Sequence, residues 1–223
     1  MTDQASNKLV IITAPSGSGK TTITMNLSGV LSIRHNKKIL VIDGDTQAAA
    51  TRWANMCSEE NPFPCNITSL AYADAKAHQF IKQFAEDYDY ILIDCPPNKE
   101  AKFNASVLLV SNLVIIPFQP SGTDLWALDG TTSLIEAAMV NNESLRARLL
   151  PNMCENRTLI SKEILDFTKS NSSIKSFGTN IIMRSIYRKV SLTGDIAYNS
   201  NDTKAKNEMA LLADEVIDTL LNI

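Results

Sequence analysis

No apolar run in this chain approaches the ~18 residues that a membrane-crossing helix needs, so no membrane partner is expected. Its opening, Met1-Thr2-Asp3-Gln4-Ala5-Ser6-Asn7-Lys8, lacks the basic-then-apolar pattern of a secretory signal. The four cysteines, Cys57, Cys65, Cys95 and Cys154, contain no C-x-x-C pair, which argues against a zinc site or a redox motif. Reduced thiols in a cytoplasm are the expectation. The two histidines, His35 and His78, stand alone on helical segments and suggest no chemistry. A net charge of −3 argues against whole-protein affinity for nucleic acid and leaves room for a local basic face. Internal repeats, low-complexity segments and a convincing linker are also missing.

What remains is a 223-residue chain with 44% hydrophobic and 20% charged residues, read most economically as one α/β domain over residues 1–223. Short β-rich runs alternate with helix-length segments. Strands are expected near Lys8–Thr13, Lys38–Ile42, Ile67–Leu70, Tyr90–Asp94, Leu113–Pro117, Ala147–Met153 and Thr179–Met183. Helices are expected at Thr21–Arg34, Ala48–Cys57, Ala75–Asp87, Glu100–Val110, Thr123–Val140, Ser161–Ser170, Arg184–Leu192 and Lys204–Leu221. Runs such as Ile39-Leu40-Val41-Ile42 and Leu113-Val114-Ile115-Ile116 are apolar on both faces, as in a sheet covered by helices on both sides. The alternation implies right-handed βαβ units and a doubly wound, mostly parallel sheet, whose ligands sit beyond the carboxyl ends of the strands.

The motifs fall at those ends. Leu9-Val10-Ile11-Ile12 runs into Ala14-Pro15-Ser16-Gly17-Ser18-Gly19-Lys20-Thr21-Thr22. An apolar strand, a small-residue turn and Gly-Lys-Thr at a helix start make a phosphate cradle. Turn amides from Ser16 to Gly19 and the helix N-terminus face the anion, and Lys20 reaches the outer phosphates. Thr21 offers a hydroxyl to Mg²⁺. Ala14 replaces the glycine that opens the strict pattern, and a chance Gly-Lys-Thr in a Gly/Ser-rich turn is the competing reading.

Two acidic strand tips follow. Ile39-Leu40-Val41-Ile42-Asp43-Gly44-Asp45-Thr46-Gln47 carries two carboxylates, and Tyr90-Ile91-Leu92-Ile93-Asp94-Cys95-Pro96-Pro97 carries one. Mg²⁺ keeps several waters and takes few carboxylates, so Asp94 with Thr21 suffices as the protein's share. Asp43 and Asp45 are two residues apart on an extended segment, so one of them can orient a water toward the γ-phosphate. A turn cap at Asp94 and a solvated turn at Asp43 and Asp45 are the plainer alternatives.

These runs, with Asn112-Leu113-Val114-Ile115-Ile116-Pro117-Phe118-Gln119-Pro120-Ser121-Gly122-Thr123-Asp124-Leu125-Trp126-Ala127, resemble the ParA/MinD-type P-loop ATPases of the deviant Walker type, most closely the small ParA proteins of plasmid partition. The resemblance covers nearly the whole length. It implies ATP and Mg²⁺ as cofactors, and an ATP-dependent homodimer sandwiching the nucleotides. It also implies non-specific DNA binding by that dimer and a ParB-like adaptor on the cargo that stimulates slow hydrolysis. Carried over by position, Ser16, Gly17, Ser18, Gly19, Lys20, Thr21 and Thr22 hold phosphates, and Thr21 and Asp94 serve Mg²⁺. Asp43 bonds a metal-bound water, Asp45 positions the attacking water, and Asn152 reads adenine. A loop-capping role is the alternative for Asn152.

The family's loop carries a second, signature lysine that reaches across the dimer. Pro15 stands there, with neither charge nor N–H. Arg157 and Lys162 are candidate substitutes, against the simpler reading of both as solvated. Arg184, Arg188 and Lys189, with Lys204 and Lys206, form a candidate DNA-backbone patch or a solvated helix face. About seven residues precede the first strand, so no N-terminal DNA-reading domain is expected. In Lys204–Leu221, apolar Met209, Leu212, Val216 and Leu220 recur at helical spacing, which reads as core packing and not as a membrane-surface helix. Trp53 and Trp126 read as core or interface anchors, and Cys95 as a small buried residue. The expectation is a cytoplasmic, nucleoid-associated ATPase that segregates plasmid DNA. A positioner of a protein cargo and an ATP-dependent metabolic ligase are the alternatives.

Overall fold

Six parallel strands stand in the order β3-β2-β4-β1-β5-β6. They are β1 (Lys8–Ile12), β2 (Ile39–Asp43), β3 (Asn66–Ser69), β4 (Tyr90–Asp94), β5 (Leu113–Phe118) and β6 (Arg146–Pro151). This computed structural model describes residues 8–97, 102–155, 163, 164, 166, 168, 170 and 172–222. The side chain of Trp126, the cations Arg157 and Lys162, and part of the expected helix 161–170 lie outside the described residues.

Helices α1 (Lys20–His35), α2 (Ala49–Asn55), α6 (Ser185–Thr193) and α7 (Thr203–Leu221) pack on one face of the sheet. Helices α3 (Ala77–Phe84), α4 (Lys102–Leu108) and α5 (Gly122–Asn141) belong to the other. The strands feed both layers because their side chains alternate. Val10, Ile12, Val41, Leu92 and Ile115 enter the first cluster, whereas Leu9, Ile11, Ile42, Ile93 and Ile116 enter the second. Double coverage explains why the middles of these strands are apolar on both faces, with charge only at ends such as Lys8, Asp43 and Asp94. The expected doubly wound sheet is what forms.

Two stretches differ from the sequence expectation. The segment Thr179–Met183 is not a strand; Ile181 donates to the Pro151 carbonyl at the end of β6, and a single bridge joins Cys154 to Ile182, while just upstream another joins Leu149 to Ser176. The cause is local. The Glu215 carboxylate on α7 accepts the adjacent Gly178 and Thr179 amides at 2.7 and 2.8 Å; an extended chain points successive N–H groups to opposite sides, so aiming both at one carboxylate breaks the strand there. The helix expected over 75–87 opens and closes as tight turns, Asp74–Lys76 and Ala85–Asp87, with α-helix only between them. No helix among the described residues is long and apolar enough to cross a membrane.

Candidate functional site: a phosphate loop flanked by two acidic strand tips

The register of the central strands fixes the site. Ile12 of β1 and Asp43 of β2 are both Cα partners of Asp94 on β4, so the loop leaving β1 starts level with both acidic tips. Gly17 and Gly19 take φ of +82° and +88°, a region where a Cβ strains the backbone. At Gly19 there is no space either, because an added Cβ would lie 2.4 Å from the Asn152 amide nitrogen. Ala14 takes no positive φ, and its methyl is buried in the second core cluster. The missing first glycine is therefore accommodated by packing.

Lys20 opens α1 with its side chain buried. Burial lowers its pKa, while the Asp94 and Asp45 charges support the ammonium. Its Nζ donates to the Pro15 carbonyl at 3.2 Å. Pro15 thus contributes an acceptor to the loop even though it lacks charge and N–H. The ammonium keeps further donors for an anion. The Ser18 hydroxyl is buried without a hydrogen-bond partner among the described residues. Two left-handed glycines, an ammonium with spare donors and an orphaned hydroxyl fit a phosphate group.

Thr21 Oγ1 donates to Asp94 Oδ2 at 2.6 Å. Burial, with Asp43 and Asp45 nearby, pushes the Asp94 carboxyl up to about 7, against the pull of the Thr21 hydrogen bond and the Lys20 charge. Among the described residues no group of three or more His, Cys, Asp or Glu side chains could cage a metal. The hydroxyl and carboxylate of Thr21 and Asp94 are the sparse oxygen set that Mg²⁺ uses beside phosphate oxygens.

Asp43 is fully buried and occupied by protein donors. Its Oδ2 accepts the Thr51 amide at 2.9 Å and the Thr51 hydroxyl at 2.8 Å, and its Oδ1 accepts the Asp45 amide at 3.2 Å. The expectation that Asp43 serves a metal-bound water meets a carboxylate already engaged as the latch of α2. Asp45 is half-buried, with Oδ1 accepting the Gln47 amide at 2.9 Å. Asn152 follows β6, and its amide donates to the Ser18 carbonyl at 2.8 Å. The structure thus places the expected adenine reader against the phosphate loop.

The model of the CobQ/CobB/MinD/ParA nucleotide binding domain matches residues 9–208. The chain belongs to this family. Among relatives, the chain is 28% identical over 218 residues to the maintenance of carboxysome distribution protein A of Halothiobacillus neapolitanus, covering 96% of this chain and 99% of the relative. A Cyanothece McdA in complex with ATP superposes with a TM-score of 0.76 at 16% identity, covering 96% of both chains. A structure described as a plasmid partition protein of Borrelia burgdorferi B31, bound to AMPPNP, gives 0.74 at 19% identity, over 95% of this chain and 99% of that one. At these identities the two structures establish the fold.

Within this nucleotide-binding family member, the five candidate DNA cations do not act alike. Arg184 is committed to Glu208 at 2.6 Å, and Glu208 also accepts the Tyr187 hydroxyl at 3.0 Å. A guanidinium already paired with a carboxylate is a weaker phosphate ligand than a free one, so Arg184 is the least available of the five. Lys206 lies 5.5 Å from the Tyr198 ring centre. Arg188, Lys189 and Lys204 are exposed.

Sequence reasoning missed Thr51 and Arg52. Thr51 ties Asp43 to α2. Arg52 lines a cavity of about 400 Å³ with Thr21, Gln47, Trp53 and Ser191. The adjacent polar pair inside the short helix Ala49–Asn55, just past the acidic tip of β2, was the available signal.

Proposed function

We propose that this chain is a Mg-ATP-dependent positioning ATPase. ATP drives two copies together, the dimer holds DNA without sequence preference, and an adaptor on the cargo stimulates hydrolysis that releases it. The observation that carries this reading is the convergence of Lys20, Thr21 and Asp94 on one loop end. Bound magnesium would neutralise charge on the β- and γ-phosphates. Lys20 and the loop amides hold the phosphates, Thr21 and Asp94 hold the metal, and Asp45 orients the attacking water, its Oδ2 having no protein partner among the described residues. Population shift supplies the switch, because ATP must favour the paired form over the single chain.

Light scattering with ATP, ADP and no nucleotide tests the switch: a mass that doubles only with ATP supports it, and an unchanged mass defeats it. DNA retention should then require ATP and fall steeply with salt.

Plasmid DNA is one cargo that fits this switch. A protein body is the second, favoured by end-to-end similarity to the carboxysome distribution protein. Deleting the gene and scoring plasmid loss against misplacement of protein bodies separates the two.

A further inference from the structure

The charges around the phosphate loop do not balance. Among the described residues, Asp43, Asp45 and Asp94 cluster at the strand tips beside the Lys20 ammonium, and a magnesium-bound triphosphate adds further negative charge. Such a cluster needs a second cation near the outer phosphates, where repulsion is greatest.

Arg52 meets that need by position. It lines the same cavity as Thr21, the residue that marks the metal end of the loop. Its side chain is exposed, and no carboxylate pairs with it among the described residues. Its place on α2 is held from both sides. Thr51, just before it, is bonded twice to Asp43, and Trp53, just after it, donates to the Asp195 carbonyl at 3.0 Å. The anchored helix leaves only the Arg52 side chain to be ordered when it pairs.

We propose that Arg52 is the triphosphate sensor of this site: its guanidinium engages the terminal phosphate of a bound nucleoside triphosphate and has no partner when a diphosphate is bound. A planar fork suits two phosphate oxygens at once, which a lysine cannot match. The interaction makes α2, and through Thr51 the β2 tip, respond to whether the third phosphate is present. This inference rests on the nucleotide-binding reading above and deepens it.

The test compares Mg-ATP and Mg-ADP affinity by calorimetry for wild type, R52A, R52K and R52E. The expected result is at least a tenfold loss of ATP affinity in R52A, about 1.4 kcal/mol, with ADP affinity changed less than twofold. R52K should recover part of the difference, and R52E should lose more than R52A. An unchanged ratio of ATP to ADP affinity in both R52A and R52E overturns the assignment, as does an equal loss for both nucleotides. A wild-type chain that binds neither nucleotide ends the functional reading itself, whereas normal wild-type binding with silent Arg52 variants ends only this one.

Discussion

Thr21 and Asp94, 73 positions apart in the sequence, meet through a 2.6 Å hydrogen bond. The first turn of α1 and the tip of β4 thereby present one hydroxyl and one carboxylate to the same point. T21A and D94N should each weaken Mg-ATP roughly 10- to 100-fold, the range seen when metal-site partners are lost. Titrations with EDTA in place of magnesium should show little difference between these variants and wild type. A magnesium-independent loss would show that the pair serves only the fold.

Lys20 is a buried ammonium held to a single carbonyl. K20M removes a charge whose burial is unfavourable and keeps the stem packed. Thermal unfolding should occur at the same temperature or higher, while ATP binding falls below detection in the same calorimetry. A large drop in unfolding temperature would contradict this account.

Gly19 and Asn152 form a coupled pair. G19A places a methyl at φ +88° and against the Asn152 amide, costing about 1–2 kcal/mol for the backbone alone. N152A releases the Ser18 carbonyl, a loss of about 1 kcal/mol. The double variant should be less destabilised than the sum, because N152A removes the atom that G19A strikes. Strict additivity in urea unfolding would refute the contact.

Arg184 and Lys189 should separate in DNA assays. E208Q weakens the hydrogen-bonded ion pair to Arg184 and should destabilise the fold by about 2 kcal/mol with DNA retention per folded molecule unchanged. K189A should leave stability intact and lower the salt slope of DNA retention by about 1. An R184A variant whose folded fraction loses DNA retention with a reduced salt slope would restore Arg184 to the DNA surface.

Alkaline pH should titrate two poorly solvated thiols, the half-buried Cys65 and the buried Cys154. Burial pushes both Cys65 and Cys154 up to about 12, above the usual thiol range. A folded pKa above the unfolded one gives stability that is complete below the unfolded pKa, near 8.5. It is lost as pH climbs toward the folded value. Urea midpoints should therefore decline between about pH 9 and 12, and C65A should flatten part of that decline. A midpoint constant across this range would contradict it.

The parts legible in the sequence were those encoded in neighbouring residues. The strand-to-loop run through Lys20, the acidic ends at Asp43 and Asp94, and the apolar runs of β1, β2, β4 and β5 each declare themselves within about ten positions. What escaped depended on distant partners. Nothing near Asn152 announces its bond to Ser18, 134 positions away. Glu208 and Glu215 look like ordinary exposed charges of α7, yet one neutralises Arg184 and the other draws two adjacent amides to one side, which interrupts the expected seventh strand. Arg52 was overlooked because helix periodicity ranks it as surface. Only the anchoring of Thr51 and Trp53 shows what that surface faces.

The grip of Glu215 on Gly178 and Thr179 also bears on how the molecule behaves in a crowded solution. The irregular strap bonds the outer edge of β6 through Phe177 and Ile181, and because its Gly178 and Thr179 amides go to a helix, it does not itself offer an uninterrupted template to a second chain. One carboxylate thus guards the border of the sheet against sticking to its own kind.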